Sequence, residues 1–507
     1  MNPIAIILTV AAYFAVMFLV SWIAARGARG AGDFFNGGRK APWWVVAIAM
    51  IGAPMSGVTY VSVPGMVGVG GAAMSYMQMV LGFFVGYLVI AFVLTPVFFR
   101  MNMVSIYQYL DERFGVSSHK TGAWFFFLSK ILGAAVRLFL VCVTLQLMVF
   151  TPLGLPFALN VLLSMLIVLG YTFRGGMKSV LWTDTLKTVC MIVSIVLAIV
   201  FIARDMGLDF GGLVKTVRGS EYSKVFFFDD PNHPKFFWKQ FLAGVFTVIA
   251  MTGLDQDMMQ RTLSSRNARD SRKNLITSGL MQIPVIFLFL CLGVLLYLFA
   301  AQKGIPQTGD LLFPAVATGG SLPAVVGVLF VLGLVSCAFS AGGSALTALT
   351  TSFTADIIGT EGKAEEAVTA TRKKVHLGMA VLMGVVIYGF YLLDTQSAID
   401  AVYKLASYTY GPILGMFVFG LACKKKVRDK WVPLVAVLSP VLSYILQTHS
   451  EQWLGGYQFG YELLLVNALL TVAGLVLLTR WRDQPQRLPA RHPEPDTQPY
   501  PHHHRQR

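Results

Sequence analysis

Polar loops cut the chain into thirteen apolar runs, most of them about 20 residues long, at 3–25, 43–65, 74–99, 121–150, 157–173, 180–203, 238–260, 276–300, 324–355, 377–394, 398–422, 431–448 and 461–479. A helix of that length crosses the hydrocarbon core of a bilayer, whereas a barrel strand needs only about 10 residues of alternating polarity. The pattern specifies an all-α, multi-pass membrane protein of about 13 transmembrane helices, with the lipid bilayer as its solvent. Composition agrees, since 13% of the residues are charged against roughly 25% in soluble domains.

The formal charge of +15 would suit a nucleic-acid binder if it were clustered on a soluble face. Instead the positives sit in short loops such as RGARGAGDFFNGGRK, RTLSSRNARDSRK and KKKVRDK. There they fix orientation, with the N-terminus outside and the C-terminus cytoplasmic in a cell (inner) membrane, and no nucleic acid is expected as a partner. The first run is too long for a cleaved signal and has no basic segment before it. Cys142, Cys190, Cys291, Cys337 and Cys423 lie in or beside apolar runs without paired spacing, so neither a disulfide nor a metal cluster is expected. The segment 480–507 is Pro-rich and polar, the composition of a disordered cytoplasmic tail; its His502 to His504 read as solvated side chains. Nothing in the sequence fixes an oligomeric state.

Two of the runs are broken. IGAPMSG, residues 51–57, places Pro54 between Gly52 and Gly57, and proline removes an N–H and clashes with the carbonyl four residues back. AMTGLDQDMMQR, residues 250–261, places Gly253, Asp255 and Asp257 inside the seventh run. Freed backbone at membrane depth is tolerated only where protein, water or a bound ion satisfies it. The breaks open two five-helix sets, about 43–203 and 238–422, that run in opposite directions through the membrane. Inverted sets of this kind, each with a discontinuous helix, mark secondary transporters whose site lies between the breaks. The expected organisation is an N-terminal helix and loop over 1–42, a core over 43–423, two further helices over 424–479, and the tail. The long loop over 207–235 is expected to cap or gate the outer side.

Several stretches carry a family resemblance. YTFRGGMKS (171–179), running into VLWTDTLKT, resembles the signature of the sodium:solute symporter family, and FFNGGRK, QDMMQR and SALTALTTSFTADI are similar to further family segments. The resemblance covers about residues 30–425. It implies a LeuT-type 5+5 inverted-repeat core and uptake of a small solute driven by Na+, by alternating access. It also implies a principal sodium site on the carbonyls of Gly52, Met55 and Cys337 with the Ser340 hydroxyl; Ala341 stands where many members carry a second hydroxyl. A second sodium site, as in sialic acid symporters, would use Asp184 with Ser340 and Ser344. Solute-binding positions of those symporters map onto Ser56, Thr59, Tyr60, Gln78 and Arg137, and Asp255 stands where the family often has an amide, a departure expected to select a solute amine or hydroxyl.

The residues themselves leave alternatives. Ser336, Ser340, Ser344, Thr347 and Thr351 share one helical face, which serves helix packing as readily as an ion. Asp184 has Lys187 one turn away as a rival partner. Asp255 and Asp257 show no basic neighbour in the immediate sequence, so they meet a cation, titrate or line a hydrated vestibule. Arg137, mid-span in SKILGAAVRLFLVC, must reach a cavity, a carboxylate or carbonyls; it binds a solute carboxylate or pairs with Asp255. The function expected is sodium-coupled symport of a small polar solute, with a carboxylate-bearing sugar such as sialic acid first. The alternative is a sodium- or proton-coupled transporter of a neutral sugar, amino acid or short carboxylate. No H-E-x-x-H or G-x-S-x-G lies in a span, so an enzyme is not expected, and the tail is too short for a signalling domain.

Overall fold

The computed structural model describes residues 3–26, 34–35, 41–101, 103, 105–173, 176–360, 362–392 and 398–479. The tail over 480–507, including the three histidines, lies outside them, as do most of FFNGGRK and Arg174 and Gly175 of the YTFRGGMKS signature. The described residues form helices α1 (Pro3–Ala25), α2 (Trp43–Gly52), α3 (Gly57–Met66), α4 (Tyr76–Arg100), α5 (Val116–Leu145), α6 (Phe157–Thr172), α7 (Gly176–Asp205), α8 (Phe237–Gly253), α9 (Gln256–Leu263), α10 (Ala268–Lys303), α11 (Ala324–Ser352), α12 (Glu365–Leu392), α13 (Ala398–Ala422), α14 (Val432–Trp453) and α15 (Leu463–Leu477). Nine helices among the described residues are long and apolar enough to cross a membrane, eleven if each bent pair is one span, and α6 and α15 are shorter apolar helices. All five cysteines are free thiols.

Both breaks fall where the sequence puts them. At Pro54 the chain bends by 51° between α2 and α3, and at Leu254 and Asp255 it bends by 67° between α8 and α9. Before the second bend the helix widens into a π turn over Ile249–Gly253, a local opening frequent at functional sites. The two ends are capped differently. The Ser56 N–H donates to the Thr59 hydroxyl at 3.3 Å, while the Asp255 carboxylate accepts from the Met258 N–H at 3.2 Å.

Packing brings the breaks to one place. Helix α2 packs on α7, α3 packs on α11, and α7 runs along α11. The start of α7 is set by Gly176, whose φ of +47° suits glycine and whose absent side chain leaves room for Phe34. From α6, the Tyr171 hydroxyl donates to the Phe339 carbonyl of α11 at 2.6 Å over the bare surface of Gly343. Helices α4 and α8 meet through Gly82, Gly86 and Gly244, each facing the partner's backbone. Small residues of this kind let membrane helices approach closely.

Candidate functional site

Between the breaks lies a cavity of about 1010 Å³, open mouth included, with Ser56 and Thr59 from the first break and Thr252 and Asp255 from the second on its wall. Helix α5 adds Ser129, Lys130 and Arg137, and α13 adds Tyr410. Apolar cover comes from Tyr76, Phe83, Met251 and Ile286, the mix of apolar wall and few convergent polar groups that small-solute sites use.

Arg137 is half-buried and has no carboxylate partner among the described residues. The rival pairing with Asp255 is not made. Asp255 is taken by Lys130, whose ammonium sits 3.2 Å from each carboxylate oxygen, by the Tyr410 hydroxyl, and by the Met258 N–H. It lines the cavity, but as the cap of α9 and an anchor for Lys130 rather than as a free acceptor. That revises the expectation that it selects a solute group.

Behind the cavity wall the charges continue as a buried chain. The Lys130 ammonium reaches Asp257 Oδ2 at 2.6 Å. The Arg261 guanidinium bonds Asp257 Oδ1 at 2.5 Å through Nη1 and Asp184 Oδ2 at 2.8 Å through Nε. Asp184 also accepts from the Ser340 hydroxyl, and Asp257 from the Ser344 hydroxyl at 3.2 Å. Every member is at least nine-tenths buried, a setting in which charges are costly unless paired and hydrogen-bonded.

Asp184, Ser340 and Ser344 therefore do meet, yet the cation on Asp184 is Arg261. The alternative pairing of Asp184 with Lys187 is not formed either, since the Lys187 ammonium has no hydrogen-bond partner. The shared hydroxyl face of α11 serves both roles. Ser336, Ser344, Thr347 and Thr351 bond back to their own helix, and Ser340, Ser344 and Thr351 reach Asp184, Asp257 and Gln260. Gly52 and Met55 bound the first break, with the Met55 N–H on the Gly52 carbonyl at 2.9 Å. Cys337 lies one turn from Ser340 on α11, and Ala341 brings no side-chain donor.

Two expected solute residues are elsewhere. Gln78 is fully buried under the segment between α7 and α8, donating to the Lys235 carbonyl and accepting from the Phe227 N–H, both at 3.0 Å. Tyr60 turns away from the cavity to Ser194 at 2.9 Å, among Phe289, Phe313 and Phe330. Conversely Lys130, Arg261 and Tyr410 were not singled out from the sequence. Two of them had a signal: Arg261 stands one helical turn after Asp257, and Lys130 two turns before Arg137 on the same face.

A cavity between two discontinuous helices at the centre of a helical bundle defines a secondary transporter. Comparison with known proteins agrees. Residues 34–429 match the sodium:solute symporter family. The chain is 26% identical over 458 residues to the sodium/sialic acid symporter NanT of Aliivibrio fischeri, covering 85% of this chain and 86% of that protein. It is 25% identical to the human sodium/iodide cotransporter, covering 84% and 70%. Among solved structures, a substrate-bound, outward-open Na+-coupled sialic acid symporter superposes with a TM-score of 0.78 at 19% identity, covering 93% of this chain and 97% of that one. The protein belongs to the sodium:solute symporter family, has its LeuT-type fold, and is a multi-pass membrane transporter rather than an enzyme.

Proposed function

We propose that this symporter couples Na+ to the import of a small solute bearing a carboxylate, with a sialic acid as first choice. The observation that carries the reading is Arg137: a guanidinium on the cavity wall it shares with Ser56 and Thr59, with no carboxylate partner among the described residues. Its planar fork suits bidentate pairing with a carboxylate. Sodium, as the co-transported substrate, is assigned to the carbonyls of Gly52, Met55 and Cys337 and the hydroxyl of Ser340. The resident guanidinium on Asp184 argues for one sodium rather than two. The N-terminus is placed outside and the C-terminus in the cytoplasm, with the core over 43–423 followed by two added helices; counting α6 and α15 as spans restores thirteen.

The test is uptake of labelled N-acetylneuraminic acid into proteoliposomes under an imposed sodium gradient. Wild-type protein is expected to accumulate it, and Arg137→Lys to weaken binding by at least about tenfold, the scale of one lost charge-assisted hydrogen bond. Tight binding of a neutral sugar that survives Arg137→Ala would overturn the carboxylate assignment. Similarity to NanT and to the sialic acid symporter structure supports the choice of solute.

A further inference from the structure

Lys187 is fully buried on α7 and its ammonium has no hydrogen-bond partner. Its side chain lies against the first break: a Cβ placed on Gly52 would stand 3.4 Å from Lys187 Cε. Asp184, Cys337, Arg261 and Asp257 are the other titratable groups within its electrostatic reach. The lysine thus points its charge into the region where Gly52, Cys337 and Ser340 are assigned to hold sodium.

Charge counting gives this placement a meaning. Asp184, Asp255 and Asp257 bring three negative charges, and Arg261 and Lys130 bring two positive ones. The buried network is one positive charge short of neutral. Either the Lys187 ammonium or one sodium ion completes it, and both together leave an excess positive charge in a site that solvent does not reach, which is unfavourable.

Resting on the sodium-coupled reading above, we propose that the Lys187 ammonium is a tethered occupant of the principal sodium position, so that sodium binds only by displacing it. The lysine sets sodium affinity low, and its removal tightens sodium. A merely structural lysine predicts the reverse, because loss of a packed side chain weakens the fold and the ion site with it.

The experiment uses purified full-length protein in nanodiscs. Thermal unfolding is followed across a sodium chloride titration, with choline chloride holding ionic strength constant. In Lys187→Met and Lys187→Gln, the sodium concentration giving half-maximal stabilisation is expected to fall at least tenfold. Lys187→Arg keeps the charge in a bulkier group and is expected to bind sodium no tighter than wild type; this arm stands even if the neutral variants do not fold. An unchanged or raised half-saturating sodium in a folded neutral variant, or tighter sodium in Lys187→Arg, overturns the assignment and leaves sodium coupling intact. A wild type indifferent to sodium whose Lys187→Met variant gains a response supports the tethered cation and overturns the sodium-coupled reading instead.

Discussion

Arg261 is the residue on which the buried network turns, because one guanidinium holds carboxylates from two different helices, Asp184 of α7 and Asp257 of α9. Removing one partner of a buried ion pair strands the other, at about 3–5 kcal/mol. Asp257→Asn is therefore expected to lower the unfolding temperature clearly, and Asp257→Asn with Lys130→Met to recover part of that loss in a double-mutant cycle, because Lys130 touches the same carboxylate. Strict additivity in calorimetry would show that the two groups act separately. Ser340→Ala removes the hydroxyl proposed to bind sodium and also one hydrogen bond to Asp184; it is expected to raise the sodium needed for half-maximal uptake while the protein remains folded, as checked by size-exclusion chromatography. At this scale the sequence was partly legible for Arg137, whose mid-span position narrowed it to a cavity, a carboxylate or carbonyls, and the structure puts it on the cavity wall. It was less legible for Gln78, because an amide mid-span satisfies itself equally well on a solute or on loop backbone, and only the position of the loop decides.

At the scale of elements, legibility followed chemistry that acts locally. Pro54 stands between Gly52 and Gly57, and that combination interrupts a helix locally where the lone Pro284 and Pro440 leave theirs continuous, so the first bend was fixed to the residue. The second break has no proline; it is made by a widened π turn ending at Gly253 and by Asp255 capping the next helix, and its place was therefore read only to within a turn. Contacts between elements were not legible, because a glycine in an apolar run carries no label for its partner. The α4–α8 contact depends on such glycines. A Cβ on Gly244 would fall on the backbone of Met79, and one on Gly82 on the backbone of Phe241. Neither backbone can give way without moving a whole helix. Gly244→Leu is expected to abolish the folded monodisperse protein, whereas Gly133→Ala, facing open space on α5, is expected to leave yield and unfolding temperature unchanged. Equal behaviour of the two in a fluorescence size-exclusion assay would show that the close approach does not matter.

At the scale of the whole molecule, the two five-helix sets are joined by the segment between α7 and α8, and that segment is fastened to the first set close to the cavity. Its Lys224 carbonyl accepts from the Met74 N–H at 3.0 Å, the Lys235 ammonium donates to the Gly70 carbonyl, and Gln78 bonds both Phe227 and Lys235. Gln78 lies in the first turn of α4, the helix that also supplies Tyr76, Phe83 and Tyr87 to the cavity wall. The amide thus ties this connection to a helix of the cavity wall. Its two bonds are worth about 1 kcal/mol each, so losing both shifts an open–closed equilibrium by roughly 30-fold if they form only in the closed state. Gln78→Ala is expected to speed hydrogen exchange at the Phe227 amide and through residues 224–235, with α2 and α3 unchanged. Solute affinity is expected to rise modestly in the same variant, because fewer molecules are closed before binding. A variant with faster exchange but unaltered affinity would show that the clasp holds the loop without gating the cavity; a variant that loses affinity would return Gln78 to the solute itself.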